Sequence, residues 1–359
     1  PVCSGLSQAH HRPVQDEEMA KGYQHIPVLL GNILEDFSPL FRDTPEKPSG
    51  PVRILDGTLG LGGHSGALLA AHPDCEILGL DRDTEAMGLA RERLSPYGSR
   101  LHTVHCRFSD FSAALREAGW DSLDGAMIDI GVSSLQLDEE SRGFSVHGDG
   151  PLDMRMDAAS GSRSARDIVN TAGEKELRDL IASYGEDPLA GRIARAICEA
   201  RREAPIETTG RLAEIISRAY PAAWRAKARH HPATRTFQAL RMAVNDELGE
   251  LGKFLDGILP FLRMGGRLAV ITFHSLEDRM VKQRMHRWAQ GCLCPKYVTH
   301  CTCHHVPEVR ILHKKPVTAG EDELLRNPRA SSAKLRSCER IAPYVNDREK
   351  EQEGGEVQA

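Results

Sequence analysis

The sequence lacks a marked excess of either charge: 46 Lys and Arg stand against 51 Asp and Glu in 359 residues, a formal net charge of −5. A protein held to polyanions by bulk charge needs a large basic surplus. This chain is therefore not a histone-like binder, although a local basic face stays compatible with the sum. It has no apolar run near the roughly 18 residues that a spanning helix requires, so no membrane partner is expected. Residues 1–22 carry neither an apolar targeting core nor an arginine-rich, acid-poor leader, because Asp16, Glu17 and Glu18 interrupt any such pattern. The glycine-dense stretch near residue 60 lacks the Gly-Lys-Ser/Thr ending of a triphosphate loop, which argues against a kinase or ATPase. A Gly-x-Ser-x-Gly elbow is also missing. The adjacent His274 and Ser275 are a poor nucleophile–base pair, so hydrolysis is set aside. The nine cysteines are odd in number, and Cys75, Cys106 and Cys198 stand singly among apolar or helical neighbours. They read as reduced core thiols. A reduced, cytoplasmic protein is the expectation.

What is present is an alternation of short apolar runs with helical segments. Strands are predicted at Arg53–Asp56, Ile77–Leu80, Leu101–Cys106 and Gly125–Ile130, with helices at Ala67–Ala71, Glu85–Leu94 and Phe111–Ala118 between them. That spacing implies βαβ units, a parallel sheet and an α/β fold of Rossmann-like type. The rhythm breaks after Gln136. Residues 138–163 are loop-like, and helices are predicted over Ala165–Val169, Glu174–Ser183, Leu189–Arg202 and Thr209–Ala219. A single helix from Ala233 through Phe261 then leads to a strand at Arg267–Phe273, with further strands at Val309–His313 and Leu335–Ile341. The organisation expected is a flexible arm at 1–22, a sheet domain at 23–137 and 233–345, a mainly helical insertion at 138–232, and an acidic, flexible tail at 346–359. The insertion hides a basic stretch. Between Arg192 and Arg235 ten Arg and Lys face only Glu199, Glu203, Glu207 and Glu214.

The segment Asp56-Gly57-Thr58-Leu59-Gly60-Leu61-Gly62-Gly63-His64-Ser65 joins the first strand to its helix. Glycines there let backbone turn tightly and approach a ligand. Asp81 ends the second strand, where an acid accepts hydrogen bonds from a ribose diol. A dinucleotide and S-adenosylmethionine both satisfy that geometry. Asp56, an acid beside the loop, would repel a pyrophosphate and suits a ligand with a cationic end, which favours S-adenosylmethionine. Phe108 stands where a ring can stack on adenine. Asp129, with Ser133 and Ser134 after it, stands at the end of the fourth strand and is the candidate for orienting adenine or substrate. Trp224 is expected to anchor a helix rather than to stack on a base. Cys292, Cys294, Cys301 and Cys303, with His300, His304 and His305 beside them, have the residue types of a zinc site. One residue separates each pair where two to four is usual. A reduced surface loop without metal is the expectation.

Several dense strings stand out along the chain: His25-Ile26-Pro27-Val28-Leu29, Asp56 to Ser65, Asp129 to Ser134 with Gln136-Leu137-Asp138, and Arg142-Gly143-Phe144-Ser145. Others are Gly150 to Met156, Thr234 to Arg241, Ile271 to Arg279, and Asn327-Pro328-Arg329-Ala330 with Ser332 to Arg336. Together they are similar to the bacterial 16S ribosomal RNA cytosine-N4 methyltransferases, the RsmH or MraW family. The likeness runs from about residue 23 to 341. It implies a Rossmann-like S-adenosylmethionine-dependent methyltransferase that acts on the exocyclic N4 of a cytidine in the decoding centre, within the small ribosomal subunit. It further implies cofactor contacts at Gly62, Gly63, His64, Asp81, Phe108, Asp129 and Gln136, beside the Asp56 and Gly60 singled out above. The acid-Pro-Pro-aromatic signature of amino-methyltransferases is absent after Asp129. Catalysis is therefore expected of Asp129, the backbone of Ile130-Gly131, Ser133 and Ser134, with Asp153 and Arg155 reaching or covering the base. The RNA face expected is the basic insertion with Arg235, Arg241, Arg329, Lys334 and Arg336. DNA is not an expected partner, and no residue pattern speaks to oligomeric state. The competing readings are an S-adenosylmethionine-binding assembly protein without catalysis, and a methylase of another RNA position, a lipid or a small molecule.

Overall fold

In the computed structural model the strands form where short apolar runs end in turn residues. β1 (Val52–Asp56), β2 (Cys75–Asp81), β3 (Leu101–His105), β4 (Leu123–Asp129) and β5 (Leu262–Thr272) run parallel. β6 (Val309–Ile311) and β7 (Lys334–Arg340) complete the sheet, β7 lying antiparallel to both its neighbours. The order is β3-β2-β1-β4-β5-β7-β6. β1, β2 and β4 are buried almost throughout, as strands covered on both faces must be. Residues 27–42, 50–158, 161–228, 230–295, 297–298, 300–303 and 305–343 are described. The expected arm at 1–22, the tail at 346–359 and residues 43–49 lie outside them.

Helices α1 (Leu30–Phe37), α2 (Gly63–Ala71), α3 (Thr84–Arg93) and α4 (Phe111–Glu117) accompany the first four strands, and α5 (Ser134–Asp138) follows β4. One cluster on the sheet joins Leu55, Leu78, Phe111, Ile128, Phe254 and Leu268, and a second joins Phe37, Ile54, Leu68, Ile77, Met127 and Ile271. A separate core belongs to α6 (Ala165–Thr171), α7 (Glu174–Gly185), α8 (Ala190–Glu203) and α9 (Thr209–Ala219). Its buried Leu177 and Ile181, Ile193 and Ile197, and Leu212 and Ile216 recur at four-residue spacing, the apolar stripe of an amphipathic helix. Each such side chain contributes about 1.5–3 kcal/mol when removed from water.

The single helix expected from Ala233 through Phe261 is two. After the short α10 (Ala222–Lys227), α11 (Thr234–Asn245) stops at Asp246, which adopts a left-handed conformation (φ 49°), and α12 (Glu247–Gly257) starts anew. The break lets the two halves serve different cores. Ala233, Phe237 and Leu240 join the helical core, whereas Leu251, Phe254 and Leu255 pack on the sheet. The segment expected as an insertion at 138–232 thus shares its core with α11. β5 also begins earlier than the expected Arg267, because Leu262 pairs with Leu123 before a register shift. α13 (Ser275–Trp288) and α14 (Glu321–Arg326) complete the described helices.

Candidate cofactor and active site

β1, β2 and β4 each end in an aspartate, and parallel register brings Asp56, Asp81 and Asp129 to one edge of the sheet. Asp56 is buried. Its carboxylate accepts hydrogen bonds from the Ser65 hydroxyl (2.6 Å) and the Thr58 amide (3.2 Å). Burial outweighs those bonds and pushes Asp56 up to about 6. The Asp81 carboxylate accepts from the amides of Gly60 (2.7 Å) and Asp83 (2.8 Å), and burial pushes it to about 6 as well. The glycine loop therefore hangs on Asp81, and Thr58 joins it to β4 by accepting from the Asp129 amide (2.6 Å).

At two positions the loop leaves no room for a side chain. Gly62 has φ +74°, and a methyl group on it would lie 2.6 Å from the Leu94 side chain. One on Gly63 would lie 2.5 Å from the Pro27 ring. Bare backbone amides at the start of α2 thus border the edge. His64 contacts the Val28 carbonyl through Nε2 (2.9 Å), and burial holds its imidazole below the usual range. Its Nδ1 faces Asp129 Oδ2 at 4.0 Å. Asp129 is pushed furthest, to about 8, by burial and then by the charges of Asp56 and Glu277. Its Oδ1 is buried with no hydrogen-bond partner. Phe108 follows β3 on the same edge and packs edge-to-face on Phe254, with ring centroids 5.7 Å apart.

Two expected contacts are otherwise engaged. The Ser133 hydroxyl caps α5 by accepting from the Gln136 amide (3.2 Å). The Gln136 side chain accepts from the Ser133 amide through its oxygen (3.1 Å) and donates to Asp83 through its nitrogen (2.8 Å). This reciprocal arrangement is a capping box, legible in the spacing Ser-x-x-Gln. Ser134 begins α5, and nothing is described of its side chain. Asp153 and Arg155 form a bidentate pair (both contacts 2.7 Å) rather than two free groups. Burial alone would raise Asp153, but the Arg155 bonds overcome it and hold the carboxylate below its ordinary range. The same loop is clamped from two sides. Asn245 donates to the Met154 carbonyl (2.7 Å) and accepts from the Met156 amide (2.9 Å), while Arg142 spans Asp83 (2.8 Å) and the Met156 carbonyl (3.0 Å). Arg82 holds the Asn245 carbonyl in turn. Arg82, Asp83, Thr58 and Ser65 were missed from sequence, because no local signal distinguishes a strut from a solvated side chain. His274 caps α13, accepting from the Leu276 amide (3.3 Å), and burial, with the nearby Arg241, lowers its imidazole.

The five cations named for the RNA face each have a partner within the protein. Arg241 is bound to Glu247 through two contacts of 2.8 and 2.7 Å, and Arg336 to Asp278 at 2.6 Å. Lys334 also reaches Asp278, and Arg329 reaches Asp138. The carboxylates come from neighbouring elements, Glu247 from α12, Asp278 from α13 and Asp138 from α5. Arg235 is exposed and donates to the Glu186 carbonyl (2.9 Å). Trp224, expected to be a helix anchor, is 51% exposed on α10. Its helix is six residues long and buries none of them.

The MraW methylase family model matches residues 22–341. The chain belongs to the MraW methylase family. It is 65% identical over 295 residues to the ribosomal RNA small subunit methyltransferase H of Desulfovibrio desulfuricans, covering 82% of this chain and 90% of that protein. It is 59% identical over 319 residues to the enzyme of the same name from Nitratidesulfovibrio vulgaris, with 89% and 86% covered. Among solved structures, an rRNA methylase from Streptococcus thermophilus aligns over 89% of the chain at 9% identity and a TM-score of 0.38, too slight a likeness to add anything. As an MraW-family methylase the chain takes S-adenosylmethionine as methyl donor. The residues fit it. Two glycines with no room for a side chain, Gly62 and Gly63, and a cluster of acids, one with an unpartnered oxygen, suit a cationic ligand that carries a ribose.

Proposed function

We propose that this chain methylates the exocyclic N4 of a cytidine in the decoding centre of 16S ribosomal RNA, acting on the small subunit in the cytoplasm. The observation that carries the reading is the buried, unpartnered Oδ1 of Asp129, on the strand beside that of Asp56 at the acidic edge. Asp81 would accept from the ribose hydroxyls and Phe108 would face the adenine. Asp56 and the amides after Gly60 would border the amino-acid end. The bound donor supplies a methyl group made electrophilic by its sulfonium.

Cytosine N4 is weakly nucleophilic because its lone pair is conjugated with the ring. Asp129 would accept one N–H of that amine and turn the lone pair in line. The N–C bond would form as the S–C bond breaks, with S-adenosylhomocysteine leaving, and N4 would then pass one proton to the Asp129 carboxylate. Methylation itself makes that proton acidic, so orientation and electrostatics are the chief contributions asked of the protein. The Asp153–Arg155 pair, held by Asn245 and Arg142, would close over the base. Such a base must leave its stack, which is cheapest in a strained or single-stranded loop. The exposed Trp224, flanked by exposed Arg225 and Lys227, offers a stacking surface beside cations for RNA. The test is transfer of tritiated methyl to small subunits purified from a strain without the enzyme, followed by nucleoside analysis. N4-methylcytidine is expected. Methyl on cytosine C5, or on ribosomal protein, overturns the proposal.

A further inference from the structure

Between α13 and β6 the chain runs from Ala289 to Glu308 with neither helix nor strand among the described residues. Loops of that length without an element of their own are uncommon unless something orders them. The neck is closed, since the Glu308 amide donates to the Trp288 carbonyl (2.8 Å). Beyond it, the Sγ atoms of Cys292, Cys294, Cys301 and Cys303 all lie within 4.8 Å of one another. Cys292 and Cys301 are 3.5 Å apart, Cys301 and Cys303 3.6 Å, and Cys292 and Cys303 3.8 Å.

These lengths discriminate between chemistries. Zinc bound to thiolates at about 2.3 Å in a tetrahedron sets the sulfurs about 3.8 Å apart along each edge. A disulfide would bring one pair to about 2.05 Å. An iron–sulfur cluster, with several metals and bridging sulfides between the thiolates, would hold the cysteine sulfurs further apart. A hydrophobic explanation fails too, because Cys292 and Cys301 are exposed and the group belongs to no core cluster. The single-residue spacing that argued against a metal does not prevent chelation, as Cys301 and Cys303 already stand at one tetrahedral edge.

Backbone amides are aimed at the sulfurs. Leu293 donates to Cys303 (3.3 Å), Cys294 to Cys292 (3.4 Å) and Thr302 to Cys294 (3.5 Å). Four thiolates around one divalent cation leave an excess of negative charge, and such donors spread it. We propose that Cys292, Cys294, Cys301 and Cys303 bind one zinc ion as a structural tetrathiolate site. Four protein ligands leave no open position for substrate, so the ion is a staple and not a catalyst. It ties the strand of chain at 292–294 to that at 301–303, and holds Leu293 beside Lys282, His286 and Arg287, with which it lines a groove along α13.

The test uses the full chain without a histidine tag, purified in chelator-free buffer and analysed by inductively coupled plasma mass spectrometry. Equimolar zinc is expected. Cobalt(II) exchange is expected to give the visible bands and near-ultraviolet sulfur charge transfer of a tetrahedral thiolate site. In the double variant Cys292→Ser, Cys301→Ser, zinc should fall by more than tenfold while donor binding at the sheet edge persists, which shows that the variant is folded. If it does not fold, stepwise mercurial titration of the unmodified protein decides, since zinc should leave in step with modification of these cysteines. Metal far below equimolar with freely reactive thiols, equimolar iron, or peptides linked by a disulfide through these residues would each overturn the proposal.

Discussion

Asp129 shows how one side chain takes its chemistry from its surroundings. Burial, then Asp56 and Glu277, push its carboxyl up to about 8, so the free protein holds part of it protonated near neutrality. Asp129→Asn keeps the shape and removes the charge. Methyl transfer to small subunits is expected to fall by about 10²–10³-fold, the usual effect of deleting one electrostatic contact in a reacting site. Thermal stability of the free protein should hold or rise slightly. Single-turnover kinetics beside a melting curve test this, and a loss under tenfold would remove Asp129 from the reaction. Gly62→Ala addresses the cradle. A left-handed alanine costs about 1–2 kcal/mol, and its methyl would lie 2.6 Å from Leu94. A lower melting temperature and weaker donor binding by calorimetry are expected together. The aspartates were legible in sequence because each ends a strand. The engagement of Ser133 and Gln136 in a cap was legible too, in the spacing Ser-x-x-Gln.

At the scale of elements, the break at Asp246 matters most, since it places the end of α11 against the loop carrying Asp153. Asn245→Ala leaves the Met154 carbonyl and Met156 amide without partners. The expected cost is about 2–6 kcal/mol at roughly 1–3 kcal/mol for each unsatisfied buried group. Methylation of small subunits should fall, with donor binding at the sheet edge changed little. Equal losses in both would refute a local role for the loop. Trp224→Ala tests the opposite kind of residue. An exposed ring supports no core, so stability should not move, whereas loss of base stacking worth about 1–3 kcal/mol should raise KM for small subunits by roughly 5–100-fold. An unchanged KM would exclude Trp224 from the RNA face. Helical periodicity showed α11 and α12 as one run, because both halves are amphipathic. Only the direction of each apolar stripe, toward the helical core or toward the sheet, separates them.

Across the whole molecule, the acidic edge links proton binding to donor binding. In the free protein Asp56 and Asp81 stand at about 6, Glu277 at about 7 and Asp129 at about 8, all raised by burial above ordinary carboxyl values. These four carboxyl groups therefore bind more protons in the folded state than in the unfolded state from about pH 4 to 8, and their contribution to stability is lost as pH rises through that window. The lowered imidazoles of His64 and His274 act in the opposite sense, but only near and below about pH 6.5. At the sheet edge above pH 7 the carboxylates decide the sign. A cationic donor favours their ionised forms, so its affinity should rise between pH 7 and 8.5. The stabilisation it confers should grow over the same range. Calorimetry in buffers of different ionisation enthalpy should show proton release on binding. An affinity independent of pH would contradict the coupling.

The α/β alternation, the glycine loop and the strand-end acids were determined by sequence alone. They depend on local periodicity and on the parallel connection rule, which needs no coordinates. The tertiary structure decided which charges are free. Arg241, Arg336 and Lys334 count as cations in any sequence sum, yet each meets a carboxylate brought by another element or across the α11–α12 break. Trp224 and Arg225 are left outside. It also decided what the four cysteines can do. Spacing along the chain measures only the reach between neighbours, and coordination depends on whether the fold returns one pair to the other.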